Sequence, residues 1–297
     1  MEGRTPSSAP LSFLALNEGK PSRTADRVAE RRAQHQLADD PRVFDDPLAL
    51  RIIHPDAAAN IRANPKTNDS LLAPYLRAAF AVRSRLAEDA LAEAVATRGL
   101  SQYVVLGAGF DTFAYRNPFP ALAVLEVDFP ATQAVKRSRL SSAGIAVPES
   151  VTYVPIDFAS ESLADALARA GFDRERAAFF SWLGVVPYLE RDAIEATFRF
   201  VASLPAGSAI VFDYGTDPAS LSWRGRFVFR KMSQRVAAIG EPWKTFFSPD
   251  DLRALLLRCG FRQVRDYDPA ELNQLYFAGR KDRLRIGEMM HIAVAAV

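Results

Sequence analysis

The sequence predicts an α/β protein with a doubly wound, mainly parallel sheet of seven strands, and three features of the chain indicate this fold. After residue 100, short apolar runs alternate with helical stretches, as strands do when crossover helices connect them. The first of these runs ends in Gly107-Ala108-Gly109, a turn typical of nucleotide-binding sheets. Two closely spaced runs near the end of the chain suit an antiparallel pair.

Composition limits the class of protein. The 297 residues, 49% of them apolar, suit one large domain with a full-sized core, and a net charge of +2 does not indicate a nucleic-acid partner. The single cysteine, Cys259, fits a reducing compartment, and the three histidines lack metal-ligand spacing. No apolar run is long enough to cross a membrane. We therefore expect a cytoplasmic protein, a monomer or a homodimer, without a metal or a membrane partner.

The first hundred residues are expected to be helical. Residues 1–21 carry Pro, Ser and Gly with little periodicity and are interpreted as a loose arm. Apolar residues at helical spacing follow over 22–36 and 70–97, and Asp46-Pro47 matches the cap and first position of a short helix between them. We interpret residues 22–98 as a helical lid on the substrate side of the sheet.

The remaining residues, 99–297, are interpreted as the core of the domain. Five strands that alternate with helices are predicted over 104–106, 123–128, 151–157, 177–183 and 207–214. Residues 216–246, rich in aromatic side chains, interrupt the alternation and are interpreted as a second lid. Residues 261–267 and 274–279 are the predicted antiparallel pair, and the apolar stretch 289–297 docks on this sheet or on a neighbouring subunit.

The glycine turn is the first candidate binding element, because ligands of such sheets bind beyond the carboxyl ends of the strands. Gly107 allows the tight turn before a helix, and Gly109, next to Ala108, allows the backbone to approach a ligand closely. Position 112, where a dinucleotide fingerprint has its third glycine, is Thr112.

Acidic residues at the next two strand ends are the further candidates. Asp128 closes the second strand, where a carboxylate can accept both hydroxyl groups of a ribose, and Glu126 on the same side is a second candidate. Asp157 closes the third strand and suits the exocyclic amine of adenine, with Phe158 as a flat apolar contact. Helix capping is the alternative role for both aspartates.

Motifs at these strand ends and upstream of them match a known family. They are Arg32-Ala33-Gln34-His35-Gln36, Phe44-Asp45-Asp46-Pro47-Leu48-Ala49, Val-Leu-Gly-Ala-Gly-Phe-Asp-Thr at 105–112, Tyr115-Arg116, Leu-Glu-Val-Asp-Phe-Pro-Ala-Thr-Gln at 125–133, Lys136-Arg137, Val-Pro-Ile-Asp-Phe at 154–158, Ser-Trp-Leu-Gly-Val-Val-Pro-Tyr-Leu at 181–189 and Tyr-Phe-Ala-Gly-Arg at 276–280. From about residue 22 to 280, the chain resembles the leucine carboxyl methyltransferase-like S-adenosylmethionine-dependent methyltransferases, in particular their bacterial O-methyltransferase branch.

The resemblance implies a class I methyltransferase fold and S-adenosylmethionine as the cofactor. Gly107 and Gly109 would pass under its methionine portion, Asp128 would hold its ribose, and Asp157 with Phe158 would frame its adenine.

The resemblance also implies residues near the substrate. Arg83 matches an arginine that contacts the carboxylate end of the cofactor and faces the substrate, with a solvated basic residue as the alternative. Tyr188 matches a tyrosine near the substrate, with a half-buried packing ring as the alternative. A glutamate of the leucine carboxyl methyltransferases is replaced by Leu183, so cofactor binding must rely more on the Gly184 backbone, and the detailed protein-substrate function transfers less well.

The function implied is O-methylation of a small molecule, bound between the N-terminal helices and residues 216–246. A carboxylate acceptor needs no base, whereas a phenolic hydroxyl benefits from one. His35 and Tyr188 are the candidate bases, with a structural histidine as the alternative for His35.

A nicotinamide-dependent oxidoreductase is an alternative function, because it shares the glycine turn, but Thr112 argues against it. A non-catalytic cofactor-binding protein is left open by Leu183.

Overall fold

The computed structural model describes residues 23–66, 72–157, 161–238 and 240–297. Seven strands form one sheet: β1 Gln102–Leu106, β2 Ala123–Asp128, β3 Val151–Pro155, β4 Phe179–Trp182, β5 Ala209–Gly215, β6 Gln263–Tyr267 and β7 Met290–Ala296. Their order is β3-β2-β1-β4-β5-β7-β6, and β7 runs antiparallel to both of its neighbours while all other pairs are parallel. The predicted doubly wound, mainly parallel sheet is confirmed. The predicted loose arm, 1–21, and Phe158 lie outside the described residues.

Helices cover both faces of the sheet. They are α1 Arg23–Ala38, α2 Ala49–Ile52, α3 Pro55–Ala63, α4 Ala73–Arg98, α5 Pro130–Ser142, α6 Leu163–Arg169, α7 Arg191–Ala202, α8 Trp223–Ala237, α9 Pro249–Cys259 and α10 Pro269–Phe277. In the described part of the chain, none of them combines the length and apolar character needed to cross a bilayer.

The strands alternate their side chains between two buried layers, which explains their nearly continuous apolar sequences. On one face, side chains of β4 and β5 pack against α6, α7 and α9. Phe198 of α7 is central there, with its ring 5.8 Å from Trp182 and 4.9 Å from Phe212. The other face packs against α4 and α10, through residues such as Val82 and Leu272. This rigid sheet fixes the loops at its carboxyl edge.

The N-terminal segment is helical, as predicted. α1 packs against α4, and α4 packs against the sheet and ends at Gly99, which takes a left-handed conformation. The predicted cap, Asp46, accepts a hydrogen bond from the Leu48 N–H (3.1 Å), although the short helix α2 begins only at Ala49.

The C-terminal prediction is wrong in one element. Residues 274–279, predicted as a strand, belong largely to α10, because the Asp268 side chain caps that helix by accepting from the Glu271 N–H (2.8 Å) with Pro269 in the first turn. The strand paired with β6 is β7. The apolar stretch at 289–297 therefore docks on its own sheet, one of the two predicted alternatives.

Candidate functional site

A cleft lies beyond the carboxyl ends of β1 to β4, where ligands of doubly wound sheets bind. Its floor is the glycine turn after β1, and its walls are the residues that follow β2, β3 and β4. α1 lies across it and contributes Ala25, Val28 and Ala29, while Glu241 enters from the segment between α8 and α9. The cleft therefore brings the predicted strand ends together under the first helix.

The glycine turn depends on its glycines. Gly107 (φ 67°) and Gly109 (φ 44°) both take left-handed conformations. The N–H groups of Gly107 and Ala108 donate to the Val127 carbonyl of β2, at 2.8 and 3.1 Å, which ties the turn to the neighbouring strand. In place of the expected α-helix, a 3-10 turn over Phe113–Tyr115 follows the glycine turn.

We predict that Gly107→Ala destabilises the protein more than Gly144→Ala. Both glycines have positive φ, which costs an alanine about 1–2 kcal/mol, but only at Gly107 would the new Cβ meet an atom, Val185 Cγ2, at 2.5 Å. Overpacking of this kind costs about 1–3 kcal/mol in addition. Urea unfolding midpoints measure the difference, and the double variant Gly107→Ala/Val185→Ala is expected to recover the additional part. Equal losses in the two single variants would contradict the steric explanation.

Asp128 holds its carboxylate at the end of β2. Oδ2 accepts from the Gly109 N–H (2.5 Å) and Oδ1 from the Phe129 N–H (2.7 Å), and the half-buried side chain still lines the cleft. Burial raises the pKa of this carboxyl group, while the two N–H donors and Lys136 act in the opposite direction. The side chain caps no helix, since α5 has Phe129 at its N-cap.

Asp157 follows β3 and is an exposed residue of the same cleft. The next helix of the described chain, α6, has its own cap, because the Ser162 side chain accepts from the Asp165 N–H. Asp157 thus stands on the cleft wall next in strand order after Asp128.

Glu126 does not reach the cleft, which contradicts its prediction as a second ribose ligand. Its carboxylate is 1% exposed and is bound by Lys136 Nζ (2.8 Å) and by the Tyr115 hydroxyl (2.9 Å). Although Glu126 and Asp128 share one face of β2, the helix α5 covers Glu126 with Lys136. Glu126 is therefore a buried ion-pair residue.

Arg83 is fixed on the wall after β4. Its Nη1 lies 3.1 Å from Asp213 Oδ2 of β5, and Asp213 Oδ1 accepts from the Gly184 N–H (2.5 Å). Gly184 has φ 73°, and a Cβ there would lie 2.8 Å from both guanidinium nitrogens. At 7% exposure Arg83 is not a solvated residue, so that alternative is wrong. Asp213 was not predicted as a site residue, although the sequence shows a carboxylate within the apolar residues of β5.

Tyr188 lines the cleft from the 3-10 turn Val186–Tyr188. Burial raises the pKa of its hydroxyl, and the negative charge of Glu241 raises it further. The phenol therefore stays protonated, so Tyr188 can donate a hydrogen bond to a ligand but is a poor proton acceptor. The predicted role as a base is not supported by this environment.

His35 is a structural residue. Its side chain is fully buried, its Nε2 accepts from the N–H groups of Val43 (3.1 Å) and Phe44 (3.2 Å), and its Nδ1 bonds Asp39 Oδ2 (2.9 Å). Asp39 in turn pairs with Arg77 of α4 at 3.0 Å. Nε2 thus holds the loop at 43–44, and Nδ1 orients the aspartate that pairs with α4. Both ring nitrogens are engaged, and the predicted role as a base is wrong.

A second arginine, not predicted as a site residue, fixes α1 to the glycine turn. Arg32 Nη2 contacts Asp46 Oδ2 (2.9 Å) and the Phe110 carbonyl (3.1 Å), and Nη1 lies 3.4 Å from Asp111 Oδ2. Burial alone would raise the pKa of Asp111, but Arg32, Lys136 and other cations lower it below the ordinary range. The position of α1 over the cleft is therefore set by buried ion pairs.

The charges of the cleft favour a cationic ligand. Among the described residues that line it, two are arginines and four are carboxylates. Both arginines, Arg32 and Arg83, are already paired with aspartates. A pyrophosphate, with its two negative phosphates, would thus meet more carboxylates than arginines in this lining. Within residues 23–66, 72–157, 161–238 and 240–297, no group of three or more His, Cys, Asp or Glu is arranged to hold a metal ion.

Sequence comparisons agree with this picture. A family model described as leucine carboxyl methyltransferase matches residues 25–202. The chain is 32% identical over 282 residues to a protein of Bacillus subtilis (strain 168) assigned as S-adenosyl-L-methionine-dependent methyltransferase YktD. The matched region covers 88% of this chain and 92% of that protein. It is 30% identical over 297 residues to a Mycobacterium avium (strain 104) protein assigned as an S-adenosyl-L-methionine-dependent methyltransferase, with 91% of each chain covered.

Structure comparison gives the same fold. A crystal structure from Thermobifida fusca YX, assigned as a methyltransferase, matches with a TM-score of 0.57 and 16% identity over 95% of this chain and 96% of that chain. At this identity the similarity concerns the fold alone.

Proposed function

The chain belongs to the leucine carboxyl methyltransferase family of S-adenosylmethionine-dependent methyltransferases, and we propose that it methylates an oxygen of a small molecule, either a carboxylate or a phenolic hydroxyl. S-adenosylmethionine supplies a methyl group on a positively charged sulfur that departs by in-line displacement. The observation that carries the proposal is one cleft in which the glycine turn, two strand-end aspartates and a fixed arginine lie under α1.

Each of these groups has a role in binding the cofactor. Asp128 accepts from the ribose hydroxyl groups, and Asp157, one strand further along the sheet, accepts from the adenine amine. Gly107 and Gly109 leave room for the methionine portion, and Arg83 binds its carboxylate. The excess of carboxylates in the lining stabilises the positive sulfur, which supports S-adenosylmethionine as the ligand.

The lids hold the acceptor. α1 and the segment that contains Glu241 meet above the cleft through a hydrogen bond from the Thr24 hydroxyl to Glu241 Oε2. The helical region 22–98 and the insert 216–246 enclose the acceptor between them and exclude water. Holding an oxygen close to the methyl group and in line with it contributes about 7–11 kcal/mol to catalysis through orientation.

We predict that the protein binds S-adenosylhomocysteine and not NADH, which isothermal titration calorimetry measures directly. The dinucleotide is disfavoured because its two negative phosphates would meet a lining in which four carboxylates outnumber two arginines. Affinity for NADH alone would overturn the proposal. Tight binding of S-adenosylhomocysteine, without transfer of a labelled methyl group to any carboxylic acid or phenol of a panel, would favour a non-catalytic cofactor-binding protein.

A further inference from the structure

The helix α8 has an exposed outer face. None of its described residues is buried, and even the side turned toward the protein is only half-buried. That side is held by Phe229, whose ring lies 5.7 Å from Trp243 and 5.1 Å from Phe246. The opposite side includes Trp223, which is 70% exposed, and Phe227, which is 53% exposed. Two large aromatic side chains four positions apart therefore extend into solvent from the same side of the helix.

The same helix carries five exposed cations, and residues 218–240 contain no acidic residue. The cations are Arg224, Arg226, Arg230, Lys231 and Arg235. Arg226 donates to the Leu221 carbonyl (2.6 Å), and Arg224 and Lys231 lie over aromatic rings of α8 itself, at 5.1 and 5.9 Å. None of the five pairs with a carboxylate of the described residues. Since the whole chain has a net charge of only +2, the rest of the chain is net negative, and the positive charge is concentrated on this helix.

The acidic residues nearest to the ends of α8 in the structure have partners outside this group of cations. Glu288 accepts from the Ser222 N–H (3.1 Å) and from the Ser222 hydroxyl (3.0 Å). Asp217 accepts from the Ala219 N–H (2.8 Å). Glu241, at the other end, is buried and accepts from the Thr24 hydroxyl. The cations of the outer face are therefore available to an anionic partner.

The combination of exposed aromatic side chains and cations on one helix is typical of helices that lie in the surface of a membrane. Tryptophan favours the boundary between the headgroups and the hydrocarbon of a bilayer, and lysine and arginine are attracted by anionic lipids. Trp223, Phe227 and Lys231 follow one another at intervals of one helical turn, so they reach the same plane. The lack of a membrane-spanning helix among the described residues concerns spanning alone.

Other partners fit this face less well. The 15 residues of α8 offer a strip about 22 Å long and about 10 Å wide. A stable protein interface requires about 800 Å² on each partner, which this strip does not supply by itself. A symmetric contact with a second copy would place the cations of one helix against those of the other. A membrane surface requires no matching shape, because each cation interacts with lipid headgroups separately.

We propose that the outer face of α8 docks on the surface of a membrane that contains anionic lipids. Trp223 and Phe227 insert among the headgroups, and the five cations contact lipid phosphates. This docking does not depend on the proposed function. Because Phe229 joins α8 to Trp243, and Trp243 interacts with the Tyr188 hydroxyl, the docked protein holds the Tyr188 side of the cleft close to the bilayer.

The first test measures binding of the full-length protein to vesicles. The protein is sedimented with vesicles of equal parts phosphatidylglycerol and phosphatidylcholine, and with vesicles of phosphatidylcholine alone. We expect binding to the anionic vesicles that weakens as salt is added, and little binding to the neutral ones. Equal binding to both, or no binding to the anionic vesicles, would overturn the proposal.

Tryptophan fluorescence shows whether α8 is the surface that docks. The emission of the wild type is expected to shift to shorter wavelength on the anionic vesicles, because Trp223 leaves water, whereas Trp182 is 1% exposed and already buried in the free protein. Trp223→Phe keeps an aromatic ring and is expected to bind while losing this shift. A bound wild type without a shift, or a shift that persists in Trp223→Phe, would contradict insertion of α8.

Variants of α8 test the cations and the aromatic side chains separately. Arg230→Gln/Lys231→Gln is expected to lower the affinity for anionic vesicles about 20–30-fold, since each cation near an anionic surface contributes about fivefold. Trp223→Ala/Phe227→Ala is expected to weaken binding as well. None of these residues lines the cleft, so both variants should bind S-adenosylhomocysteine like the wild type, which shows that they are folded.

Matched controls remove the same groups from other surfaces. Arg258→Gln/Arg262→Gln deletes two exposed cations at the end of α9 and in the turn after it. Leu275→Ala deletes an apolar side chain of α10 that is 57% exposed. Both are expected to bind the vesicles like the wild type. If they lose as much affinity as the α8 variants do, α8 is not the docking surface.

Competition with other polyanions distinguishes a membrane from an acidic protein or a nucleic acid. Poly-L-glutamate and a single-stranded oligodeoxynucleotide are added to protein bound to the anionic vesicles, at a concentration of negative charge equal to that of the lipid. We expect the protein to stay on the vesicles, because neither polymer provides a hydrocarbon boundary for Trp223 and Phe227. Displacement by either polymer would assign the outer face of α8 to that class of partner and overturn the proposal.

Discussion

Asp128→Ala is expected to lower the affinity for S-adenosylmethionine by about two orders of magnitude. The variant loses the acceptor for both ribose hydroxyl groups, and a hydrogen bond to a charged group contributes about 1.5–3 kcal/mol. About 1.4 kcal/mol corresponds to a tenfold change in affinity. Isothermal titration calorimetry with S-adenosylhomocysteine measures the loss. Because burial raises the pKa of Asp128, wild-type affinity is also expected to fall as the pH is lowered through that raised pKa, a dependence that the variant lacks.

The controls for Asp128 must account for its structural hydrogen bonds. Asp128→Asn retains an oxygen that can accept from the Gly109 or Phe129 N–H, so it is expected to fold like the wild type while still binding more weakly. Asp250→Ala removes an exposed carboxylate at the start of α9, outside the cleft lining, and should bind normally. Unchanged affinity in a folded Asp128→Ala variant would remove Asp128 from the cofactor site.

Arg83→Met is expected to lower both the stability of the protein and its affinity for the cofactor. The substitution leaves Asp213 buried without its guanidinium partner at 3.1 Å, and breaking one side of a buried ion pair costs about 3–5 kcal/mol. The affinity falls because the methionine carboxylate of the cofactor loses its cation. Urea unfolding measures the first effect, and calorimetry with S-adenosylhomocysteine measures the second.

A double variant distinguishes these two effects of Arg83. Arg83→Met/Asp213→Asn removes both charges, so it is expected to regain most of the lost stability, since the amide oxygen introduced at position 213 can still accept from the Gly184 N–H. The affinity for the cofactor should remain low. If the double variant binds S-adenosylhomocysteine as tightly as the wild type does, Arg83 has only a structural role.

The sequence correctly predicts those residues of the cleft whose positions follow from local sequence patterns. An apolar strand that ends in glycines, and aspartates directly after the next two strands, place Gly107, Asp128 and Asp157 at one edge of a parallel sheet. Their positions depend only on strand direction and strand order. The alternation of side chains along a strand did not predict the contacts of Glu126 correctly. A lysine of α5 lies over Glu126 and binds its carboxylate, which keeps it out of the cleft.

The residues that were missed depend on pairing between distant parts of the chain. Asp213 was not predicted because its partner, Arg83, lies 130 positions earlier in the chain, and nothing local indicates that α4 lies over β5. Thr24 and Glu241 are 217 positions apart, and each reads locally as an ordinary polar residue. Asp268 and Pro269 are residues typical of a helix start, but the apolar residues that follow them have a high strand propensity, which leads to the wrong prediction of a strand. The lid role of the N-terminal helices, the cytoplasmic location and the oligomeric state stay predictions.

The position of β7 has a consequence for how the protein is synthesised. β7 lies between β5 and β6, although it follows both in the chain, and among the described strands β6 pairs with β7 alone. The half of the sheet that carries the cleft therefore leaves the ribosome with the apolar edge of β5 unpaired until residues 290–296 arrive. Open strand edges of this kind promote aggregation. A nascent chain that stalls before β7 would thus carry a nearly complete cofactor cleft and still be a target for chaperones. The sheet is complete only when β7 has paired with β5 and β6, which happens after the binding site has been synthesised.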